Sequence, residues 1–210
     1  MRIQFSRINI RIGNRSCHLT WGLQYLLFLV LLLPTAGKSQ PDTSHLRVMT
    51  YNIRYASDRS PNSWADRLPG MLQLLQKQNP AIVGTQEALY RQIKDLENGL
   101  ATYRWIGIGR DGGSRGEFMA IFYDPKRVEP FRYDHFWLSE TPSIPGSTTW
   151  GNNNRRMVTW VQFKDLNTGK LFFVFNTHFD HRSQYARERS ALLVRESIDD
   201  IAGAHPAVLM

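Results

Sequence analysis

The feature that most constrains this chain is a run of five apolar residues, Leu171-Phe172-Phe173-Val174-Phe175, that passes directly into Asn176-Thr177-His178-Phe179-Asp180-His181. The run reads as a buried strand. Its end therefore delivers three ionisable groups, His178, Asp180 and His181, where ligands are held in α/β folds. Taken alone, the hexapeptide is either a metal site or a satisfied polar turn. Three earlier segments share its design: Met49-Thr50-Tyr51-Asn52-Ile53-Arg54, Gly84-Thr85-Gln86-Glu87 and Gly116-Glu117-Phe118. Each places an amide or a carboxylate in or at the end of an apolar stretch.

The rest of the pattern sets the fold class. Residues 46–51, 81–85, 103–108, 118–123 and 128–138 read as strands. Leu68, Met71, Leu72 and Leu75 recur at helical spacing over 64–78, and Asn79-Pro80 stops that helix. Leu89, Ile93, Leu96 and Leu100 line a second helix. A loop rich in Ser, Thr, Pro, Gly and Asn covers 139–154. Residues 157–163 and 171–175 pair around Asn167-Thr168-Gly169 as a hairpin. A third helix spans 183–202, and 206–210 begins another apolar strand. Strands and helices do not alternate strictly, and consecutive strands carry aromatic and β-branched residues. This favours α/β architecture with two packed sheets and helices outside over a single doubly wound sheet. With no internal repeat, residues 46–210 make one domain large enough for a sizeable core, preceded by a polar linker, 40–45.

Residues 1–39 have the pattern of a secretory signal peptide. Arg2, Arg7, Arg11 and Arg15 form a basic start, residues 23–33 are apolar except for Gln24, and small residues follow Pro34. An apolar core of 11 residues is short against the roughly 20 a membrane span needs; an uncleaved anchor is the alternative. The leader holds five of the 26 Lys/Arg and none of the 18 Asp/Glu, which leaves 21 against 18, a net +3, for the remainder. The overall charge of +8 is thus no nucleic-acid footprint, though a mild positive balance suits an anionic substrate. The single cysteine, Cys17, also lies in the leader. Residues 40–210 therefore form no disulfide, cysteine nucleophile or zinc–thiolate site. Export without disulfides points to a periplasmic or extracellular bacterial protein.

The ordered set Tyr51-Asn52-Ile53-Arg54, Gln86-Glu87, Gly116-Glu117-Phe118 with Ile121-Phe122-Tyr123, Phe136-Trp137-Leu138-Ser139, Arg156 with Trp160, and Asn176 to His181 resembles the endonuclease/exonuclease/phosphatase superfamily. Its members are magnesium-dependent phosphodiesterases and phosphatases, among them deoxyribonucleases, deadenylases, sphingomyelinases and inositol-polyphosphate phosphatases. The resemblance implies a four-layer α-β-β-α sandwich of two mixed sheets, deoxyribonuclease-like. It also implies metal-dependent hydrolysis of a phosphate ester by in-line attack of water, with Mg²⁺ or Mn²⁺ as cofactor. The Trp-Leu-Ser-Glu-Thr-Pro stretch and the His-Phe-Asp-His form are most similar to exported bacterial members near the deadenylase-like branch. The substrate stays open between nucleic acid, phospholipid headgroup and small organophosphate. A monomer without an obligate protein partner is expected. A non-catalytic binding domain is the second hypothesis.

Residue by residue, the resemblance makes Glu87 the principal metal ligand, as a hard cation prefers carboxylate, amide oxygen and water. Without it, Glu87 reads as a solvated loop carboxylate. Asn52 stands beside the metal, or else caps its own turn. His178 contacts the scissile phosphate, the alternative being a satisfied core histidine. Glu117 is the expected partner of His178, fixing its tautomer and raising its pKa. Asp180 shares a face with His178 if the strand continues, and His181 faces away. The stretch 109–116 reads as a flexible hairpin whose Arg110 and Arg115 reach phosphates, or as a solvated turn. Trp137 and Trp160 read as core. The superfamily pattern continues past a strand like 207–210 with a Gly-Asp-Phe-Asn step and a terminal Asp-His pair. By resemblance the domain is incomplete, lacks its C-terminal strands and is inactive as these 210 residues alone.

Mass spectrometry of the protein isolated from cells should find a mature N-terminus just after residues 37–39. A cytosolic product still beginning at Met1 would refute export.

Overall fold

The computed structural model describes residues 45–210 and the backbone of residues 3–7. Among the described residues the elements run in the order β1 (Ile3–Arg7), β2 (Arg47–Asn52), α1 (Trp64–Gln78), β3 (Ile82–Gln86), α2 (Tyr90–Gly99), β4 (Arg104–Ile106), β5 (Ile121–Tyr123), β6 (Val128–Trp137), β7 (Met157–Asp165), β8 (Leu171–Thr177), α3 (Gln184–Ala202) and β9 (Ala207–Leu209). One sheet runs β1-β2-β3-β5-β4 and the other β6-β7-β8-β9. Both are mixed: β2 is parallel to β3 and β8 to β9, and the remaining neighbours are antiparallel.

Side-chain alternation along the strands builds the layers. In β2 and β3, Met49, Tyr51 and Val83 face α1 and α2, where they pack with Met71, Leu75, Ile93 and Leu96. Their neighbours Val48 and Ile82 face the other sheet and meet Val161, Phe172 and Val174. In β8, Phe173 and Phe175 turn the opposite way, into the cluster that holds Ala186, Val194 and Ala202 of α3. The result is the α-β-β-α sandwich, with an apolar seam between each pair of adjacent layers. Among the described residues no helix is long and apolar enough to cross a membrane.

Local signals explain the boundaries. Ser63 caps α1 in a capping box with Asp66, and Asn79 closes it in a left-handed conformation. Ser183 caps α3 by accepting from the Ala186 N–H. In the β7–β8 hairpin the Asp165 carboxylate accepts from the Asn167 and Thr168 N–H groups, and Gly169 takes φ 73°. The leader pattern places residues 1–39 outside the fold, yet Ile3–Arg7 lies antiparallel along β2. Without it β2 would present an open edge, and Ile3-Gln4-Phe5-Ser6 alternates as a strand does. The apolar run 23–33 and linker residues 40–44 lie outside the described residues.

The two sheets are joined by one buried amide. Asn176 follows Phe172 and Val174 in the inward row of β8 and is fully buried. Its Nδ2 donates to the carbonyls of Thr85 and Ala120, both at 2.9 Å, and its Oδ1 accepts from Gln86 Nε2 at 2.6 Å. Gly84 permits this approach: a Cβ there would stand 2.9 Å from Asn176 Cγ. Asn176→Ala should lower the free energy of unfolding by about 2–4 kcal/mol, because it strands buried polar groups. Urea denaturation measures this, and an unchanged midpoint would mean the amide contributes nothing to stability.

Candidate active site

Glu87 sits one residue beyond β3 with φ 64°, in the left-handed region. That conformation is costly for a non-glycine residue, and the surroundings hold it. Asn52 Nδ2 donates to Glu87 Oε1 at 2.8 Å, and the Tyr55 N–H donates to Oε2 at 3.0 Å. Asn52 Oδ1 accepts from the Arg54 N–H at 2.9 Å. The 53–55 loop is fixed from the helices: Arg67 donates to the Ile53, Arg54 and Tyr55 carbonyls, and buried Gln92 donates to the Arg54 carbonyl. Burial alone pushes the Glu87 carboxyl up, but the Asn52 and Tyr55 hydrogen bonds and the nearby positive groups outweigh it and hold the pKa below its usual value.

The loop between β4 and β5 contributes Arg110 and Glu117, whose side chains pair at 2.8 Å. It is a braced turn rather than a flexible hairpin. The Arg110 N–H donates to the Glu117 carbonyl, and Trp137 Nε1 donates to the Arg110 carbonyl at 2.7 Å. Gly116, at φ 76°, leaves room where a Cβ would lie 2.6 Å from Asp111 Oδ2. Arg110 faces the site, whereas Arg115 turns to the Asp111 carbonyl on the exposed side. Burial raises the Glu117 pKa; Arg110 opposes the rise and Glu87 adds to it. Trp137 is buried core as expected, and Trp160 packs on Phe173 and Phe175.

Arg156 enters just before β7 and is 4% exposed. Its Nε lies 3.7 Å from Asp180 Oδ2, and its Nη2 is 3.2 Å from His181 Nδ1. A guanidinium only donates, so His181 accepts at Nδ1 and carries its proton on Nε2.

The β8 strand ends at Thr177, and the surroundings of the residues just beyond it differ from the expectations in four respects. Asp180 does not face the site with His178. It is buried, accepts from the Arg182 and Ser183 N–H groups at 2.8 Å, and backs Arg156 at the entrance to α3. His181, expected to face away, lines the site instead. Glu117 is not the partner of His178: it is engaged with Arg110, and His178 Nδ1 is buried without a partner. Nor is the His178 pKa raised. Burial, followed by the charge of Arg156, lowers it to about 4.

Glu87, Arg110, Glu117, Asn154, Arg156, His178 and His181 line one cavity of about 340 Å³, and Asn52 joins it through Glu87. The structure therefore brings Asn52, Glu87, Glu117 and His178 together and leaves Asp180 behind the wall. Arg156 carries the resemblance without an assigned role at the site, and Asn154 is hidden in a polar loop. Beyond that resemblance, the trace of either in the sequence is a pair of arginines immediately before an apolar strand.

Among the described residues no group of three or more His, Cys, Asp and Glu gathers as a metal cluster. Glu87 and Asn52 alone offer one carboxylate held ionised and one amide. That set fits a hard cation that keeps most of its water, as Mg²⁺ does, and does not fit a soft or fully caged metal.

Two mixed sheets packed between helices, with a charged cavity at the strand ends, define a deoxyribonuclease-like sandwich. The sequence matches the profile of the Endonuclease/Exonuclease/phosphatase family over residues 49–210, and the chain belongs to that family. An endonuclease/exonuclease/phosphatase from Bacteroides vulgatus superposes with TM-score 0.76 at 42% identity, covering 78% of this chain and 64% of that one. The mannosyl-6-phosphatase of Bacteroides thetaiotaomicron gives TM-score 0.75 at 38% identity, over 78% and 63%. An uncharacterized protein of Acanthamoeba polyphaga mimivirus is 31% identical over 165 residues, 73% of this chain and 61% of its own. The chain thus spans under two thirds of the length of these relatives.

The depressed pKa of His178 has a consequence for stability. Between about 4 and the ordinary value of 6.5, the unfolded chain holds a proton on this ring that the folded chain does not. Stability therefore rises with pH across that window. Glu117, raised by burial, works in the opposite sense in the lower part. Thermal melts should show a shallower rise between pH 4 and 6.5 in His178→Asn than in the wild type; parallel curves would mean the ring ionises freely in the fold.

Proposed function

We propose that this cavity binds the phosphate of an ester and hydrolyses it with the help of a divalent cation, Mg²⁺ or Mn²⁺, held by Glu87 and Asn52. The observation that carries the reading is the joint lining of one cavity by two guanidinium groups, two imidazoles and two carboxylates. Phosphoryl transfer asks for little else than positioning and charge neutralisation. Similarity to a mannosyl-6-phosphatase supports the same chemistry. When bound, the cation would supply Lewis-acid polarisation of a phosphoryl oxygen.

Arg110 and Arg156 supply N–H donors and positive charge to the non-bridging oxygens. Glu117 aims Arg110 through their 2.8 Å contact, and Asp180 backs Arg156 from behind. His178 is neutral near pH 7, its pKa being about 4. It serves as a hydrogen-bonding group through Nε2 rather than as an imidazolium, because Nδ1 is sequestered. In the reaction, water oxygen bonds to phosphorus as the phosphorus–alcohol oxygen bond breaks in line. One water proton leaves with the alcohol and the other stays on the phosphate. The signal-peptide pattern supports export, so the substrate would be met outside the cytoplasm.

Glu87→Gln in the full-length protein should lower kcat/KM on phenyl phosphate and on bis(p-nitrophenyl) phosphate by about 10²–10³-fold. It should also weaken Mn²⁺ binding followed by paramagnetic resonance, with the melting temperature nearly kept. Loss of folding instead would assign Glu87 a structural role, and retained activity would remove it from the site.

A further inference from the structure

We infer that Gln92, a residue outside the cavity, positions the two side chains that would hold the divalent cation and thereby sets the affinity of the site for it. The inference rests on the reading of Glu87 and Asn52 as the protein ligands of that cation, and it concerns what keeps them in place.

Gln92 stands in the first turn of α2, beside the core residue Ile93, and is 0% exposed. It does not line the cavity. A neutral amide in such a place is retained where its donor and its acceptor are both used. Its Oε1 accepts from the Leu89 N–H at 2.9 Å, and its Nε2 donates to the Arg54 carbonyl at 3.0 Å. The first bond is the ordinary back-contact of a glutamine at this position of a helix. The second is no part of a cap: it reaches 38 positions back along the chain.

The two bonds span a gap that the sheet does not close. β2 and β3 pair as far as Asn52 and Gln86. Among the described residues, the Ile53 N–H to the Gln86 carbonyl is the last backbone hydrogen bond between them. Beyond it both chains turn away through left-handed residues, Arg54 at φ 60° and Glu87 at φ 64°. Arg54 is two positions past Asn52 and Leu89 two past Glu87, so one side chain ties together the segments that follow the two ligand positions. Arg67 donates to the carbonyls of Ile53, Arg54 and Tyr55, which braces the first segment without reaching the second.

The tie reaches the ligand atoms through one peptide group. The Arg54 carbonyl, held by Gln92, and the Tyr55 N–H, which donates to Glu87 Oε2 at 3.0 Å, belong to the same planar unit. A donor on that oxygen therefore fixes the direction in which the N–H points at the carboxylate. The preceding Arg54 N–H donates to Asn52 Oδ1 at 2.9 Å, so the same segment orients the amide as well. An ion such as Mg²⁺ demands near-ideal octahedral geometry, and here two side chains supply its protein oxygens. Without the hold of Gln92 the left-handed residues are free to relax, and the ordering of Glu87 and Asn52 would come out of the binding free energy.

The test measures Mn²⁺ binding to the full-length protein by paramagnetic resonance, well below the melting transition, in the wild type, Gln92→Met, Gln92→Asn and Leu96→Val. Gln92→Met keeps the shape and loses both bonds, and Gln92→Asn keeps both polar groups but falls short of the span. Each should weaken Mn²⁺ binding by about 10–100-fold. The kcat/KM on phenyl phosphate that they lose at low Mg²⁺ should return as Mg²⁺ is raised. Leu96→Val, one turn further along α2 in the apolar core, should lower the melting temperature and leave the Mn²⁺ affinity unchanged. An unchanged affinity in the Gln92 variants, an equal fall in Leu96→Val, or loss of folding in both Gln92 variants would reduce Gln92 to a helix cap and overturn the inference while the phosphate-ester reading stands. A wild type that binds no Mn²⁺ and is indistinguishable from Glu87→Gln overturns both.

Discussion

The Asn176 amide is the contact on which the site depends. Apolar packing between two sheets is non-directional and tolerates sliding. The hydrogen bonds of Asn176 do not, because its amide nitrogen and its carbonyl are spent on β3, Ala120 and Gln86 in a place without solvent access. That fixes the end of β8 against the end of β3. Glu87 is one residue past Gln86 and His178 two residues past Asn176, so the register set by one amide carries over to the two groups that face the cavity together. Gly84 is the complementary requirement, since a side chain there would occupy the space of the amide.

Arg156 plays the corresponding part for the electrostatics. A buried guanidinium is costly unless paired, and Asp180 and His181 supply its partners. In turn it lowers the pKa of His178, helps hold Glu87 ionised and sets the tautomer of His181. Glu117, raised by burial and by Glu87, is kept in check by Arg110. The cavity therefore contains opposite charges whose ionisation states depend on one another. The left-handed backbone at Glu87 shows the same economy: its strain persists because Asn52, Tyr55 N–H, Arg67 and Gln92 over-determine that corner.

Much of the layered architecture is legible in the order of the residues, because helices and strands announce themselves by period. The α1 helix spans the stretch that its leucine spacing marks, and β7 and β8 meet at the turn read from Asn167-Thr168-Gly169. The strand-end amides and carboxylates are also visible, as polar residues closing apolar runs. Asn154 is not, and Arg156 is marked there without a place in the cavity, since a polar loop carries no period to say which of its residues turn inward. The readings of Asp180 and His181 fail for a related reason. They extend strand alternation past Thr177, where the chain leaves β geometry and turns into the cap of α3.

The elements and their apolar faces were thus settled by residues close together in the chain, and the family by the order of short motifs along it, with no coordinates needed. The partners were settled by the packing of the two sheets. Glu117 pairs with Arg110 rather than His178, Asn176 reaches Thr85 and Gln86 across the sandwich, and His181 rather than Asp180 enters the cavity. Each of these choices is made by hydrogen bonds and ion pairs whose geometry exists only once the layers are assembled. Local periodicity cannot report a distance between residues that meet only through the fold.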